Sequence, residues 1–226
     1  MTGARDQILA GIRQSLKRGA LDGEAAAKLE ERIAHHARNL IPARTMVSPA
    51  ERLDLFVAMA TEVAATVDRL PGPARIPHAI ADYLVNHNLP ADIRLAPDPA
   101  LEQLPWNRRP TLTVRHGRAE PQDLTSVTGA LAGIAETGTL MMASGPQHPT
   151  TLNLMPDNHI VVLYTDQIVG SYEEGWDRLR ARAGGMPRTV NFITGPSRTG
   201  DIEQTIQLGA HGPRRLHILM VDSARS

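Results

Sequence analysis

Residues 156–164 read Pro156-Asp157-Asn158-His159-Ile160-Val161-Val162-Leu163-Tyr164. Three turn-forming residues lead straight into a short, strongly apolar run. The run is far below helix length for a buried segment, so it predicts a strand from His159 to Tyr164. Similar runs stand at Ile93–Leu95, Leu112–Arg115, Thr139–Ala143, Val190–Thr194 and Leu216–Val221. Helical stretches separate them, clearest at Pro77–Asn86, Tyr172–Ala183 and Asp201–Leu208. Short apolar strands alternating with helices predict an α/β domain with a largely parallel sheet over residues 75–226.

The first 70 residues have another texture and predict an N-terminal helical segment. Ile8, Leu9, Ile12 and Leu16 share one face of a helix over Arg5–Arg18. Asp22 is placed to cap a second helix, whose Ala26, Leu29, Ile33, Ala37 and Leu40 step by three and four before Pro42. Ser48-Pro49-Ala50-Glu51 is a capping box with proline at the first helical position. The stripe Leu53, Phe56, Val57, Ala60, Ala64, Val67 carries that third helix toward Val67, and Leu70-Pro71-Gly72-Pro73 ends it.

Composition narrows the function classes. Of 226 residues 42% are apolar and 21% charged, which argues for a folded core. Lysine plus arginine is 24 and aspartate plus glutamate is 24, so the net charge is zero. A nucleic-acid binder normally carries a basic excess, and none is present. Near-zero charge is compatible with homo-oligomerisation or membership of a complex. There is no cysteine. The chain therefore offers no disulfide, no thiol nucleophile and no thiolate for zinc or an iron–sulfur cluster. No apolar run approaches the ~20 residues of a membrane span, and charges interrupt the first ten residues. A cytoplasmic location is expected.

Three polar segments can carry chemistry. In the first, Ile134-Ala135-Glu136-Thr137-Gly138-Thr139-Leu140, a carboxylate sits between apolar stretches. Glu136 reads either as a nucleophile, base or ligand orienter, or as one half of an ion pair with an arginine. In the second, His159 opens the strand just after Asp157, which is placed to orient it. The other reading is a plain chain reversal through Pro156, Asp157 and Asn158. In the third, strand Val190–Thr194 runs into Gly195-Pro196-Ser197-Arg198-Thr199-Gly200-Asp201, where a helix is expected to open. Free N–H groups at a helix start, with Ser197, Arg198 and Thr199 as donors, would cradle a phosphate or carboxylate. The alternative is an ordinary strand–helix turn capped by Asp201 and Gln204. His148, His159, His211 and His217 lack metal-ligand spacing, so no metal site is expected.

Taken together, Ala135-Glu136-Thr137-Gly138-Thr139, the turn Pro156-Asp157-Asn158-His159, and Gly195-Pro196-Ser197 through Asp201-Ile202-Glu203 to Gly209-Ala210-His211-Gly212-Pro213 resemble the LUD domain. The similarity runs nearly end to end. The middle turn has Met155-Pro156 where the family usually has Leu-Pro. The resemblance implies a three-layer α/β/α sandwich akin to the sugar-phosphate isomerase and CoA-transferase group. It implies a part in oxidising L-lactate to pyruvate beside cysteine-rich partner subunits that hold iron–sulfur clusters, with no cofactor on this chain. Carried onto this sequence, it marks Glu136, His159, Ser197, Asp201, Glu203 and His211 as signature positions and brings no roles with them. On the residue reading, Glu136 and His159 are the catalytic candidates, and Thr137, Gly138, Gly195, Ser197, Arg198, Thr199, Asp201, Glu203 and His211 are the candidates for holding a small anion. A second implied reading is a free-standing enzyme on a CoA-transferase-like fold, acting on an acyl-CoA or a sugar phosphate with Glu136 as its key carboxylate.

Overall fold

A computed structural model describes residues 3–17, 19, 21–199 and 207–223 of the chain. They divide into two units, residues 1–40 and 41–226. The first unit holds helices α1 (Ala4–Ser15) and α2 (Gly23–His35). Asp22 caps α2 through a bond from the Ala25 N–H of 2.7 Å. His36 then ends the helix in the left-handed region at φ 47°.

The second unit is built on a parallel sheet. Its strands are β1 (Thr66–Leu70), β2 (Asp92–Leu95), β3 (Thr113–His116), β4 (Thr125–Gly129), β7 (Asn158–Tyr164) and β12 (Arg215–Val221). They lie in the order β1-β12-β7-β4-β2-β3, every pair parallel. Alternation along β7 and β12 feeds two cores. Ile160, Val162, Leu219 and Val221 pack with Ile76, Ile80 and Leu84 of helix α4 (Ile76–Asn86). Val161, Leu163, Ile218 and Met220 pack with Phe56 and Ala60 of helix α3 (Pro49–Glu62). Strands buried on both faces read as continuous apolar runs, which is why residues 159–164 were legible. Burial of Phe56 alone contributes about 1.5–3 kcal/mol.

A second sheet packs beside α3, with Gly133 close to both Leu163 of β7 and Phe56 of α3. It joins β8 (Ile168–Val169), β5 (Ala132–Ile134), β6 (Thr139–Ala143) and β9 (Val190–Ile193) in that order. β5 and β6 are antiparallel, as are β6 and β9. Thus 139–143 and 190–193 are strands as expected but belong to this mixed sheet. The reason is local: four residues join β5 to β6, and a parallel pair needs a crossover of a dozen or more. Helix α7 (Tyr172–Arg180) packs on this sheet, with Leu179 against Ile134 and Met141. Helices therefore lie on both sides of the parallel sheet, the α/β arrangement expected.

Two elements differ from the sequence reading. The third helix stops at Glu62, and Thr66–Leu70 is the edge strand of the parallel sheet. Ala64 at φ 65° breaks the helix, and the β-branched Thr66 and Val67 suit the ladder with His217–Val221. The helix expected over Asp201–Leu208 is not seen where it can be described. Gln207–Leu208 (β11) pairs as an antiparallel strand with Arg198–Thr199 (β10), and Asp201 to Ile206 lie outside the described residues. Strand β4 was not anticipated, because Thr125, Ser126 and Thr128 hide an inward-facing strand behind polar side chains. Two of the hydroxyls find internal partners: Ser126 Oγ donates to the Leu152 carbonyl at 2.6 Å and Thr128 Oγ1 lies 2.8 Å from His159 Nε2, while Thr125 Oγ1 has none among the described residues. Among the described residues no helix is long and apolar enough to cross a membrane.

Candidate functional site

The sheet order locates a crevice. From β2 the chain continues outward to β3; from β4 the next strand of the same sheet is β7, on the opposite side. Adjacent strands whose continuations diverge leave a gap at their carboxyl ends, where α/β proteins bind ligands. The gap between β2 and β4 holds a cavity of about 210 Å³ lined by Asp98, Thr128, His148, Asn153, Arg178 and Arg182. Beside it a broader cleft of about 620 Å³ shares His148 and adds Arg118, Arg188 and Thr151.

Each lining group is held from its own element. Asp98 follows β2 and accepts the Ala100 N–H at 3.0 Å through Oδ1. Its Oδ2 lies over Gly129, where a Cβ would stand at 3.3 Å, so the glycine makes room for the carboxylate. His148 Nε2 is 3.9 Å from Asp98 Oδ2. Burial, with Arg182 acting the same way, lowers the His148 pKa below the ordinary imidazole value, and Asp98 opposes them. The ring is neutral at pH 7. Gln167 spans the floor, accepting the Tyr164 N–H at 2.8 Å and donating to the Ala130 carbonyl at 3.0 Å. Arg178 donates to the Asp166 carbonyl at 3.0 Å. Arg182 is different. Its Nη1 is buried and, among the described residues, has no hydrogen-bond partner. A buried guanidinium nitrogen without an acceptor is costly, and Arg182 lines the cavity.

The residues singled out from sequence fall in three places. Glu136 follows β5, half-buried. Its N–H donates to the Gly170 carbonyl at 2.9 Å, and its Oε2 accepts the Tyr172 N–H at 3.4 Å, at the start of α7. No arginine among the described residues pairs with it. Thr137 joins a hydroxyl chain: its Oγ1 is 2.6 Å from that of Thr139 and 2.9 Å from the Tyr172 hydroxyl, and Thr139 is 2.7 Å from Thr194. The first and third segments are thereby brought together. Gly138, at φ 65°, and Gly195, at φ 74°, both press on the end of α3; a Cβ would collide with the backbone of Ala60 and Val63 respectively. Their glycines are demanded by packing.

Ser197 knots its own loop. Its N–H donates to the Pro213 carbonyl at 2.8 Å, its carbonyl accepts the Gly209 N–H at 3.0 Å, and its Oγ accepts the His211 N–H at 3.2 Å. Arg198 and Thr199 form β10, so no helix start stands at Thr199. A two-residue hairpin arm satisfies those amides in a ladder instead of aiming them outward. The His211 side chain is exposed. Asp201 and Glu203 lie outside the described residues.

His159 is wholly buried between β4 and β12, and its Nε2 is 2.8 Å from Thr128 Oγ1. That bond, and not one to Asp157, orients it; the Asp157 carbonyl accepts the Arg215 N–H. Burial pushes the imidazole pKa down to about 3. Thr128 lines the cavity, so His159 stands one hydrogen bond behind it. Sequence reasoning missed Asp98, His148, Arg178 and Arg182. The available signal was Asp98 just past a predicted strand end, and the i, i+4 spacing of Arg178 and Arg182. Among the described residues no group of three or more histidines and carboxylates is placed to hold a metal.

The LUD domain model matches residues 124–221, from the start of β4 to the end of β12. A protein of Deinococcus radiodurans called lactate utilization protein C is 33% identical over 186 residues, 80% of this chain and 84% of that protein. An uncharacterized protein of Neisseria meningitidis serogroup B is 43% identical over 94 residues. A lactate utilization protein C of Halalkalibacterium halodurans is 31% identical over 108 residues. These last two alignments span only 40% and 46% of those proteins' lengths. The crystal structure of a DUF162 family protein from Deinococcus radiodurans superposes with a TM-score of 0.58 at 28% identity, covering 77% of this chain and 99% of that one.

Proposed function

This chain belongs to the LUD-domain family, and from that premise we propose that it serves L-lactate utilization as a cluster-free subunit that binds a small carboxylate at the β2/β4 crevice. A family relative that aligns over most of both chains carries lactate utilization in its name. A chain without cysteine is compatible with iron–sulfur clusters being held by cysteine-rich partner subunits. The observation that carries the anion site is the unpartnered, buried Nη1 of Arg182. A carboxylate there gains a charge-assisted bond from the guanidinium, with neutral His148 and Thr128 beside it as hydrogen-bonding groups for a 2-hydroxyl or 2-oxo oxygen.

Calorimetry with L-lactate, pyruvate and inorganic phosphate tests the site. A carboxylate ligand is expected to bind, and Arg182→Met to weaken it by about tenfold or more, the effect of one charge-assisted hydrogen bond. No binding by any of the three, or binding unchanged in the variant, removes the anion site. The assignment to a complex has its own test. The tagged chain purified from lactate-grown cells should bring down cysteine-rich subunits with iron–sulfur absorbance, and purification alone each time would refute it.

A further inference from the structure

A second cavity, of about 410 Å³, opens between the edge strand β1 and α4, and it shares no lining residue with the crevice. Its base is a column of three rings. Tyr83 stacks on His87 at 4.1 Å and on His217 at 4.3 Å between centroids. His217 is 3% exposed, yet its Nε2 has no hydrogen-bond partner among the described residues. Its Nδ1 is 2.8 Å from Thr66 Oγ1, whose other neighbour, the Leu216 carbonyl, is at 3.5 Å. The hydroxyl proton thus has one good acceptor, Nδ1, and we assign the ring's own proton to Nε2. Nε2 is 3.6 Å from Asp68 Oδ2, too far for a direct bond. A donor and an acceptor face each other across a gap, and the carboxylate is more than half exposed.

The pairing selects its ligand. A carboxylate or phosphate oxygen would suit Nε2–H but be repelled by Asp68. An ammonium would suit Asp68 but meet a second donor at Nε2. A hydroxyl satisfies both at once, accepting from Nε2–H and donating to Oδ2. Water does this too, but a water takes about 30 Å³ of a cavity more than ten times larger. We propose that this groove binds a sugar or polyol, with one hydroxyl held between His217 and Asp68 and the carbon skeleton lying along the ring column. Arg75, on the rim and without a carboxylate partner among the described residues, adds a contact for a ligand that also bears phosphate.

The probes are D-ribose and D-ribose 5-phosphate, titrated against the whole chain while the His217 imidazole resonances are followed by NMR. Both should bind and move those resonances, the phosphate ester more tightly. Asp68→Ala, at an exposed position that spares the fold, should weaken both by roughly tenfold to a hundredfold, the range for a hydrogen bond to a charged group. His217→Phe, which keeps the ring on Tyr83, should do the same. Arg75→Ala should weaken only the phosphate ester. No binding of either probe at millimolar concentration would overturn the proposal. So would ribose 5-phosphate binding that is indifferent to Asp68→Ala, since that describes an anion on Arg75 alone.

Discussion

Strands β2 and β4 carry arginine chemistry at both ends, and the two ends are built on opposite terms. At the amino end, Arg94 is bound to Asp123 at 2.7 Å, to Glu120 at 3.0 Å and to the His116 carbonyl at 3.2 Å. Arg115 bonds Asp92 at 2.7 Å and Asp123 at 2.9 Å. Every charge there has an opposite partner, and the side chain of Asp123 is 1% exposed. At the carboxyl end, Arg182 buries a nitrogen with no acceptor among the described residues, and burial lowers the His148 pKa beside a carboxylate 3.9 Å away. Saturated charge networks hold a fold in register; a buried cation left unsatisfied beside a cavity is a candidate place for a ligand. The same residue type is paired at one end and left without an acceptor among the described residues at the other.

The largest expected effect breaks the saturated end. Asp123→Ala leaves Arg94, 8% exposed, without its main counter-charge, and should destabilise by about 3–5 kcal/mol in denaturant unfolding. The pH dependence follows from the same carboxylate. Burial raises its pKa, but the Arg94 hydrogen bond, the Glu120 N–H and the charges of Arg94 and Arg115 together bring it below the usual value. Its stabilisation is present above the ordinary carboxylate range and fades as pH falls through the depressed folded value. In Asp123→Ala that acid-limb loss should shrink; an unchanged acid limb would mean the network contributes nothing.

The histidines beneath the two cavities should show at milder pH. Burial pushes His159 down to about 3; burial also lowers His217, to about 4, with Asp68 opposing it. In the unfolded chain both titrate near 6.5, so between there and their folded values the unfolded state holds more protons. Unfolding free energy should therefore fall as pH drops below about 6.5, by up to about 1.4 kcal/mol per unit for each ring. His159→Gln keeps a partner for Thr128 and should flatten part of that slope. A pH profile identical to the parent's would place the proton elsewhere.

Arg182→Met sharpens the contrast between the two ends. Because Nη1 makes no bond to lose, removing it should leave stability unchanged or raise it slightly, while Arg94→Met lowers it. Equal losses in thermal melts of the two variants would erase the distinction between scaffold and site.

How far the sequence was readable follows from the range of each interaction. The apolar runs 160–163 and 218–221 announce strands because β7 and β12 are covered on both faces. The Ser48–Glu51 box and the Asp22 cap are local patterns, and both form. β1 was hidden in a helical stripe, and β4 behind the polar side chains of Thr125, Ser126 and Thr128. The crevice joins Asp98, His148 and Arg182 across more than eighty residues of chain, so no spacing rule reaches it. Glu136, Thr137 and Thr194 were legible as polar interruptions, yet only the folded chain links them through Thr139.

Glu136 carries the smallest prediction and separates the two readings left open by its setting. Among the described residues no arginine holds it, so its loss orphans no buried cation there. Its one side-chain bond among the described residues is from the Tyr172 N–H, where the amino terminus of α7 presents partial positive charge. A carboxylate there stabilises a helix by about 0.3–1 kcal/mol, and glutamine keeps the acceptor but loses the charge. Glu136→Gln should therefore lower stability by no more than about 1 kcal/mol in a denaturant titration, with the loss reduced at high salt because the dipole interaction is screened. A loss of several kcal/mol would show that the carboxylate anchors the Thr137–Thr139–Tyr172 hydroxyl chain as well. Near-parental stability in a variant whose reconstituted complex no longer turns over L-lactate would move Glu136 from helix cap to reaction.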